Sequence, residues 1–426
     1  MAASQPNFVV VITDDMRDSD WQALGKTSAL VAGRGTVFPN FFLTTPICSP
    51  SRASILTGMY PHNHGVIRND GNRGGVAQFA QKEMEDQSIS RALRGAGYRT
   101  GLFGKFMNGI PEEGVIPGDW DDWLVSSELD YYNFTMNDNG AARAFTEPDD
   151  YSTDVIRGRA IEFLRDTDGG QPFLLFFTPK APHGPSTPAR RDRRTFGRAR
   201  VERAPDLNEV DVSDKPKYVR GNKPYDLDEL DALNRKRLDS LVAVDDAVEA
   251  LIADLDAQGR LGNTYVFVLS DNGYMLGSHR LLGKGAAYRH STQVRMAVSG
   301  PAFEGGGVRT DLAANIDIAP TIASLAGVEL RKADGESLVR PSRRDALLLR
   351  DFAGKEYRAV RTDRYLYVEH DSGERELYDY AADPYELDNL LADWEGHRPT
   401  AAAEEIGAGL KSRLGPLVGC KGKTCR

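Results

Sequence analysis

Polar residues that can bind metal ions or anions follow four apolar runs of the sequence. They are Asp14 and Asp15, then Lys105, then Lys180 and His183, and finally Asp271 with Asn272. Such apolar runs are typical of buried parallel strands, whose carboxyl ends meet at one edge of a sheet, where ligands bind. Any one group could instead form a turn or cap a helix. Four groups together predict a shared site.

The oxygen-bearing residues of this predicted site favour a hard cation. Asp14, Asp15, Asp271 and Asn272 offer carboxylate and amide oxygens, which suit Ca²⁺, or alternatively Mg²⁺, better than zinc. Three converging carboxylates would repel one another without a cation. A cation beside lysines and a histidine can stabilise an anionic group whose charge changes during its transfer.

A lone cysteine opens the stretch CSPSRASILTGMYPHNHGV, which begins at Cys48. Ser49 can cap a helix whose first residue is Pro50, so we expect Cys48 at the positive end of a helix dipole, with Arg52 one turn further on. A thiolate would be stabilised there and could act as a nucleophile. A thiolate is, however, a poor chemical match for a neighbouring hard cation.

The stretch CSPSRASILTG resembles the Cys-x-Pro-x-Arg signature of the type I sulfatases. The resemblance covers nearly the whole chain and includes the N-terminal Asp-Asp pair. The later matching motifs are GK at Gly104–Lys105, APH at Ala181–His183, SDNG at Ser270–Gly273, and LLGKGAAY with Lys284. The stretches FGKFMNG and CKGKTCR also resemble the N-acetylglucosamine-6-sulfatase branch of that family.

The resemblance implies that Cys48 is oxidised to formylglycine by a formylglycine-generating enzyme, which reads Pro50 and Arg52. The aldehyde hydrates to a diol. One diol oxygen would bind the metal and attack sulfur, and the second hydroxyl would then expel sulfate. The implied activity is hydrolysis of sulfate monoesters, with a sugar or glycosaminoglycan-type substrate expected.

The resemblance also implies roles for individual residues. The expected catalytic residues are Cys48, Arg52, Lys105, His183 and Lys284, with His183 protonating the leaving alcohol. The expected metal ligands are Asp14, Asp15, Cys48, Asp271 and Asn272. The expected substrate-binding residues are Lys105, His183, Lys284, Asn108 and His290; like His279, His290 flanks Lys284. The chain departs from the family at Met107, where many members have the histidine that deprotonates the diol.

Strands alternating with helices predict an α/β fold over residues 1–335, which we expect to be the catalytic domain. Runs at 7–12, 98–103, 172–177, 264–269 and 294–300 predict buried parallel strands. Helices are predicted over 88–97, with Ser88 as cap, over 154–166 and over 233–259. The resemblance further implies an alkaline phosphatase-like arrangement, in which helices sandwich a mixed, largely parallel sheet.

The pattern changes after residue 335, and residues 336–426 predict a smaller C-terminal α+β domain. The stretch YRAVRTDRYLYVEHDSGERELYDY is typical of short antiparallel strands, with DSG as one turn, and a final helix follows. A chain of 426 residues is long for a single core, so two domains are the default expectation.

Composition limits the partners and the compartment. The net charge of −9 argues against nucleic-acid binding, and no apolar run is long enough to span a bilayer. Cys420 and Cys425 either form a disulfide, typical of an oxidising compartment, or remain free thiols on the tail. The N-terminus shows no signal-peptide pattern. We expect an extracellular or periplasmic protein if a leader was removed, and alternatively a cytoplasmic one.

Several alternatives stay open at this point. The stretch RRDRRTFGRAR is either a solvated loop or a rim that attracts anionic substrate. Two other functions fit the same residues. One is a formylglycine-dependent phosphonate or phosphate ester hydrolase, and the other is an unmatured carbohydrate-binding homologue without turnover.

Overall fold

The computed structural model describes residues 5–126, 129–305, 307–394 and 396–426. Its largest element is an eleven-stranded mixed sheet. The first eight strands all join this sheet: β1 (Asn7–Thr13), β2 (Thr36–Phe42), β3 (Arg99–Lys105), β4 (Asp122–Ser126), β5 (Phe134–Asp138), β6 (Ala141–Phe145), β7 (Phe173–Thr178) and β8 (Thr264–Ser270). A two-stranded ribbon follows, made of β9 (Met275–Leu276) and β10 (Leu282–Gly283). The chain then returns to the main sheet with β11 (Gln293–Ser299), β12 (Gly307–Val308) and β13 (Ala313–Ala314).

The strands that precede the predicted site residues are neighbours and run parallel. The order across the sheet is β12-β2-β11-β8-β1-β7-β3-β4-β5-β6, with β13 beside β2. Strand β1 pairs in parallel with β7 and β8, and β7 pairs in parallel with β3. Their carboxyl ends therefore meet at one edge, as the sequence predicted.

Helices cover both faces of this sheet. They are α1 (Gly25–Thr27), α2 (Cys48–Thr57), α3 (Pro61–His64), α4 (Gly75–Gln81), α5 (Ile89–Gly95), α6 (Ser152–Asp166), α7 (Lys217–Arg220), α8 (Leu227–Ala257), α9 (Arg289–Thr292), α10 (Ile318–Ala326) and α11 (Ala401–Val418). Alternate residues of β1 face opposite sides: Val10 packs in one hydrophobic cluster with α2, α5 and α10, and Val11 packs in another with α6 and α8. The predicted sandwich is therefore confirmed. None of the helices described is long and apolar enough to cross a membrane.

One strand direction was predicted wrongly. The run at 294–300 was expected to be parallel, but β11 runs antiparallel to both β8 and β2. A parallel strand needs a crossover that returns the chain to the opposite edge of the sheet. The connection from β8 to β11 stays at the edge where β8 ends, so the next strand has to run back in the opposite direction.

The C-terminal part forms a separate four-stranded antiparallel sheet, as the sequence predicted. Its strands are β14 (Leu347–Asp351), β15 (Tyr357–Arg361), β16 (Tyr365–His370) and β17 (Arg375–Asp379). Helix α11 packs on it, and Cys420 and Cys425 form a disulfide. Side chains of this sheet share a hydrophobic cluster with residues before position 335, such as Tyr60 and Tyr288. The domain boundary near residue 335 stays a prediction.

Candidate active site

The carboxyl ends of β1 and β3, the start of α2 and the residue after β10 bring five charged or nucleophilic groups together. We call Asp14, Asp15, Cys48, Lys105 and Lys284 the site cluster. The thiol of Cys48 donates to Asp14 Oδ1 at 3.5 Å. The ammonium groups of Lys105 and Lys284 donate to Cys48 Sγ at 3.4 Å and 2.9 Å. Lys105 also donates to Asp14, and Lys284 donates to Asp15. The sulfur atom therefore lies between two cations and a carboxylate.

Helix α2 begins earlier than predicted. Its first residue is Cys48 and not Pro50, two residues before the predicted start, with Ile47 as the N-cap residue, so Ser49 does not cap it. The Ser49 hydroxyl instead donates to Asn108 Oδ1 at 2.9 Å and accepts from the backbone N–H of Asn108 at 3.0 Å. Ser49 thereby ties the start of α2 to the turn that follows β3.

The environment of Cys48 favours a neutral thiol. Burial and the nearby Asp14 carboxylate raise the pKa of the Cys48 thiol, and the two lysines offset only part of this increase. These surroundings do not favour the thiolate considered from the sequence, because burial and Asp14 outweigh the two lysines. An unmodified Cys48 is a poor nucleophile in this position.

The aspartates are held by the ends of β1 and β8. Asp15 adopts a left-handed conformation with φ of 69°, which is uncommon for a residue with a side chain. Its backbone N–H donates to Asp271 Oδ1 at 3.3 Å, and Asn272 Nδ2 donates to Asp15 Oδ1 at 2.5 Å. Next to it, Met16 N–H donates to the hydroxyl of Ser270 at 2.9 Å. These bonds lock the two strand ends in register.

Cations balance the buried carboxylates. Burial alone would raise the pKa of Asp14, but Lys105 and Lys284 outweigh it and hold that pKa well below its usual range. Burial and Asp14 raise the pKa of Asp271, although Arg52 opposes the increase. The Arg52 guanidinium donates to Asp271 Oδ2 at 2.8 Å and to the backbone carbonyl of Lys105 at 2.6 Å. Arg52 therefore links α2 to the ends of β8 and β3.

The residues at this edge fit a hard metal ion. Ligand atoms of Asp14, Asp15, Cys48 and His183 all lie within 4.8 Å of one another. Asn272 is fully buried, and its Oδ1 has no hydrogen-bond partner in the part of the chain that the structure describes. An unpaired buried carbonyl oxygen beside carboxylates is a natural ligand for Ca²⁺ or Mg²⁺. Asp271, by contrast, is already bonded to Arg52 and to the backbone of Asp15.

Two of the predicted residues, Lys105 and His183, reach the site from the end of β3 and from the loop after β7. Gly104 has φ of 120°, and a Cβ atom there would lie 2.2 Å from the Thr178 carbonyl oxygen, so only glycine lets β3 approach β7 and place Lys105. His183 is half-buried, with its Nε2 at 3.8 Å from Asp15 Oδ2 and its Nδ1 at 3.0 Å from the Gly184 carbonyl. Its Nε2 therefore faces the site cluster.

Sequence reasoning missed the residues that hold Lys284. Lys284 lies in the segment 273–292, which connects β8 to β11. The end of this segment is hydrogen-bonded to the C-terminal part of the chain. The Tyr288 hydroxyl donates to Glu376 at 2.8 Å, and the backbone N–H of Arg289 lies 3.1 Å from each carboxylate oxygen of Glu386. Both glutamates are fully buried. Their partners are far apart in sequence, so no local motif signals the contacts.

These glutamates belong to a second buried group of charges. We call Glu376, Glu386, His279, His370 and Tyr288 the glutamate cluster. His370 Nε2 lies 2.6 Å from Glu376 Oε1, and His279 Nε2 lies 3.7 Å from Glu386 Oε2. Burial would lower the pKa of His279, but hydrogen bonds to Glu209 and Glu386 raise it to about 9. His279 is therefore a structural cation, not a substrate contact.

The position of the missing histidine is part of the hydrophobic core. Met107 is fully buried and packs with Phe106 in the cluster on the α2 side of the sheet. The side chain of Asn108 accepts a hydrogen bond from Ser49, the residue that directly follows Cys48. Its predicted contact with substrate stays a prediction.

The imidazole of His290 lines a cavity that is separate from the site cluster. Its Nε2 lies 2.9 Å from Asp206 Oδ2, and the ring lines a cavity of about 180 Å³ together with Arg17 and Arg289. The lining of that cavity does not include Cys48 or the aspartates beside it. The substrate contact predicted for His290 stays untested.

Comparison with protein families finds two matches along this chain. The family model described as sulfatase matches residues 6–328. The model described as N-sulphoglucosamine sulphohydrolase, C-terminal, matches residues 277–414.

Individual proteins are similar over most of the chain. Human N-acetylglucosamine-6-sulfatase is 32% identical over 99% of this chain and 86% of that protein. An extracellular sulfatase SULF-1 homologue of Drosophila melanogaster is 33% identical over 79% of this chain and 31% of that protein. A solved structure described as bound to its substrate, D-glucosamine-2-N,6-O-disulfate, matches with a TM-score of 0.81 at 23% identity, covering 96% of this chain and 97% of that one.

Proposed function

The chain belongs to the sulfatase family, and from that premise we propose its substrate, its metal and the roles of its residues. As a sulfatase it is a sulfuric ester hydrolase, which cleaves a sulfate monoester into an alcohol and sulfate. The observation that carries the proposal is the site cluster: Cys48 Sγ, which marks the place of the nucleophile, lies within 3.5 Å of two lysines and an aspartate.

The proposed substrate is a sugar sulfate of the glucosamine type, with the ester at O6. The human relative is named for that activity, and the solved structure is described with a glucosamine disulfate as its substrate. The two short motifs FGKFMNG and CKGKTCR support the same branch.

Family membership implies a formylglycine and a metal ion. We propose Ca²⁺, with Mg²⁺ as the alternative, held by Asp14, Asp15, Asp271, Asn272 and the modified residue 48. The ion would supply positive charge for the sulfate oxygens and the nucleophile. Formylglycine would supply, as its hydrate, one hydroxyl that attacks sulfur and another that allows sulfate to leave. Oxidation of Cys48 in the sequence CSPSR requires a formylglycine-generating enzyme as a maturation partner.

The charges of the site explain its preference for an anion. Three carboxylates (Asp14, Asp15, Asp271) face three cationic side chains (Arg52, Lys105, Lys284). A divalent ion added to this balanced group leaves the site with a surplus of positive charge. A sulfate monoester is an anion with charge spread over three oxygens, so the surplus favours its binding and its transfer.

Lys105 and Lys284 stabilise charge at the nucleophile and on the sulfate oxygens. Their ammonium groups lie on Cys48 Sγ, and burial of both side chains strengthens the electrostatic interaction. Arg52 orients the site by bonding Asp271 and the backbone at Lys105. Asn108, held by Ser49, is proposed to contact the substrate beside the nucleophile.

His183 is proposed as the general acid. The S–O bond breaks as negative charge develops on the departing oxygen, and a sugar alcohol needs a proton to leave. His183 Nε2 faces the site cluster, and the half-exposed ring stands where a leaving group can reach it. General acid catalysis contributes typically about 10²–10⁴-fold.

The compartment is proposed to be extracellular or periplasmic. The disulfide between Cys420 and Cys425 favours an oxidising environment, and one similar protein is named an extracellular sulfatase. A cytoplasmic location remains the alternative. Fractionation of the native host, with the thiol state of the two cysteines measured by alkylation, decides between them.

The proposed function is tested with three esters of the same aryl alcohol. The matured protein is assayed with the sulfate, the phosphate and the phosphonate of that alcohol, and kcat/KM is compared. The proposal expects the sulfate to be the preferred substrate. Preference for the phosphate or phosphonate would instead establish the ester hydrolase alternative. Mass spectrometry of the peptide that contains residue 48 tests the binding-protein alternative, which expects unmodified cysteine there in the natively produced protein. A screen of sulfated monosaccharides then identifies the sugar position.

A further inference from the structure

The segment 190–203 carries a strong positive charge that the site does not use. It contains seven arginines and two acidic residues, in a chain whose formal net charge is −9. All seven arginines are exposed. We propose that this arginine segment is a docking surface for an anionic polysaccharide, whose terminal sulfated sugar occupies the site.

Four of the arginines are free to bind a ligand. Arg191 forms a two-point ion pair with Asp154, and Arg203 pairs with Asp231. Among the described residues, no carboxylate forms an ion pair with the guanidinium groups of the four free arginines, Arg193, Arg194, Arg198 and Arg200. Four neighbouring like charges repel one another, so this surface gains from an anionic partner.

The backbone under these arginines is fixed by α8. The carboxylate of Asp239 accepts from the backbone N–H of Arg194 and of Phe196, both at 2.8 Å. Asp231 accepts from the backbone N–H of Val201 at 2.9 Å. A surface held in this way binds a polymer without a large cost for ordering the loop.

The arginine segment reaches the cavity of about 180 Å³ that Arg17 and His290 also line, because Val201 and Glu202 belong to its lining. Two sequence neighbours link this cavity to the site: Arg17 follows Asp15 by two residues, and the backbone of His290 packs against Gly273, which directly follows Asn272. A Cβ atom at Gly273 would lie 2.2 Å from the His290 carbonyl oxygen. The proposed path of the polymer runs from the site along this cavity, whose lining also holds the carboxylates of Asp18, Glu202 and Asp206, to the free arginines.

A sulfated or carboxylated polysaccharide fits this track better than a small substrate. Its anionic groups repeat along the chain, so one end can lie at Cys48 while later groups meet the arginines. Arginine is suited to this role because its guanidinium binds sulfate and carboxylate groups with two parallel hydrogen bonds. The inference rests on the proposed function only for the identity of the terminal sugar. The binding of the polymer does not depend on the proposed function.

The test compares two variants with equal loss of charge. In the segment variant, Arg193, Arg194, Arg198 and Arg200 are all changed to Gln. In the control variant, the exposed Arg34, Arg331, Arg340 and Arg343 are changed to Gln instead. A third protein carries Lys at the four segment positions and keeps the charge.

Kinetics with substrates of two sizes give the decisive result. For an aryl sulfate, all proteins should have the wild-type kcat/KM. For a long 6-O-sulfated heparin fragment, the segment variant should show KM raised by about tenfold, because each exposed charge pair contributes a fraction of a kcal/mol to about 1 kcal/mol. The effect should shrink with added salt, and the Lys protein should recover part of it. Equal KM values in the segment and control variants would overturn the proposal.

Retention on immobilised heparin separates this inference from the proposed function, because it needs no turnover. The segment variant should elute at lower salt than the control variant and the wild type. If the segment variant binds heparin like the wild type, the docking surface is wrong, whatever the enzyme hydrolyses. If wild-type binding is lost in the segment variant but no sulfate ester is cleaved by any protein, the docking surface stands and the proposed function fails.

Discussion

The site cluster and the glutamate cluster are both buried groups of opposite charges, yet they differ in how completely the protein satisfies them. In the glutamate cluster, Glu376 accepts from three side chains, the hydroxyls of Tyr288 and Tyr378 and the ring of His370, at 2.6–2.8 Å. In the site cluster, the carboxylates converge on a neutral thiol, and the neighbouring Asn272 Oδ1 has no hydrogen-bond partner among the described residues. The Glu376 carboxylate is satisfied by the protein's own side chains, whereas the site leaves a buried amide oxygen among carboxylates for a cation to bind.

The difference teaches that an unpaired oxygen among converging carboxylates, and not burial of charge alone, distinguishes the candidate active site. A buried carboxylate with all its partners is a structural element, and it contributes to stability or to the position of a loop. A buried carboxylate beside an unpaired acceptor is ready to bind a cation. Variants of the two clusters should therefore have opposite effects on activity and on stability.

The largest expected effect is the loss of turnover in Cys48→Ser. A serine sulfate ester has no second hydroxyl to expel sulfate, so steady-state hydrolysis should fall by about 10⁴-fold or more, as for the loss of other catalytic nucleophiles. The melting temperature should stay near that of the wild type, since serine is similar in size. Sulfate release and thermal unfolding measure the two quantities. Full steady-state activity in this variant would refute the nucleophile.

Removal of the metal should be the next largest effect. Stripping with a chelator should lower activity by at least about 100-fold, and one of Ca²⁺ or Mg²⁺ should restore it. The restoring ion should also raise the melting temperature, because it binds only the folded protein. Asp14→Asn should abolish that increase, whereas Glu376→Gln, in the complete cluster, should keep it. Metal-free protein with its full rate, or an increase that survives Asp14→Asn, would place the ion elsewhere.

A smaller effect, selective for the substrate, is expected at His183. His183→Ala should slow a sugar sulfate by about 100-fold and an activated aryl sulfate far less, because only the sugar alcohol needs a proton to leave. Lys284→Ala should slow both substrates, since it removes charge stabilisation from the sulfate oxygens. The comparison requires kcat/KM for both esters in both variants. Equal slowing of the two esters by His183→Ala would assign it to positioning.

Glu386→Gln tests whether the glutamate cluster acts on the site through Lys284. We expect kcat/KM to fall by about tenfold, because Glu386 holds the end of the loop that carries Lys284. Glu374→Gln is the matched control, since Glu374 lies in the turn before β17 and bonds the half-buried Arg220. A lower melting temperature with unchanged kcat/KM would show that the cluster only stabilises the fold.

His279→Gln should have the smallest effect on activity, but it should change how the free energy of unfolding depends on pH. The pKa of His279 is raised to about 9 by hydrogen bonds to Glu209 and Glu386, against an ordinary value near 6.5. The stabilisation is therefore complete below pH 6.5 and is lost as pH rises through 9. Between pH 7 and 9 the free energy of unfolding should fall by about 2 kcal/mol more in the wild type than in His279→Gln. Parallel pH profiles in urea titrations of the two proteins would contradict the assignment.

The sequence predicted the site well because its residues follow short, regular patterns. Parallel strands place their carboxyl ends at one edge, so Asp14, Lys105, His183 and Asp271 could be grouped before any contact was known. The family signature then named Cys48 and Arg52. The structure brings Cys48 together with the aspartates and lysines, while the individual roles still depend on the experiments above.

The parts that were missed depend on contacts between distant residues or on irregular backbone. Tyr288 and Glu376 are 88 residues apart, and Arg289 and Glu386 are 97 apart. Strand β2 escaped prediction because Pro39 interrupts its pattern; the register with β11 shifts at that point, where a bulge tolerates proline. The raised pKa of the Cys48 thiol was missed because it comes from burial and from Asp14, and the sequence does not show the burial.

The most direct measurement of the central claim relates activity to the chemical state of residue 48. The protein is produced with increasing amounts of a formylglycine-generating enzyme, and the formylglycine fraction is measured by mass spectrometry of the peptide that contains residue 48. The account predicts that aryl sulfatase activity per molecule rises in proportion to this fraction and extrapolates to zero when every residue 48 is still cysteine. Substantial multiple-turnover activity in protein that carries only cysteine at position 48 would contradict it.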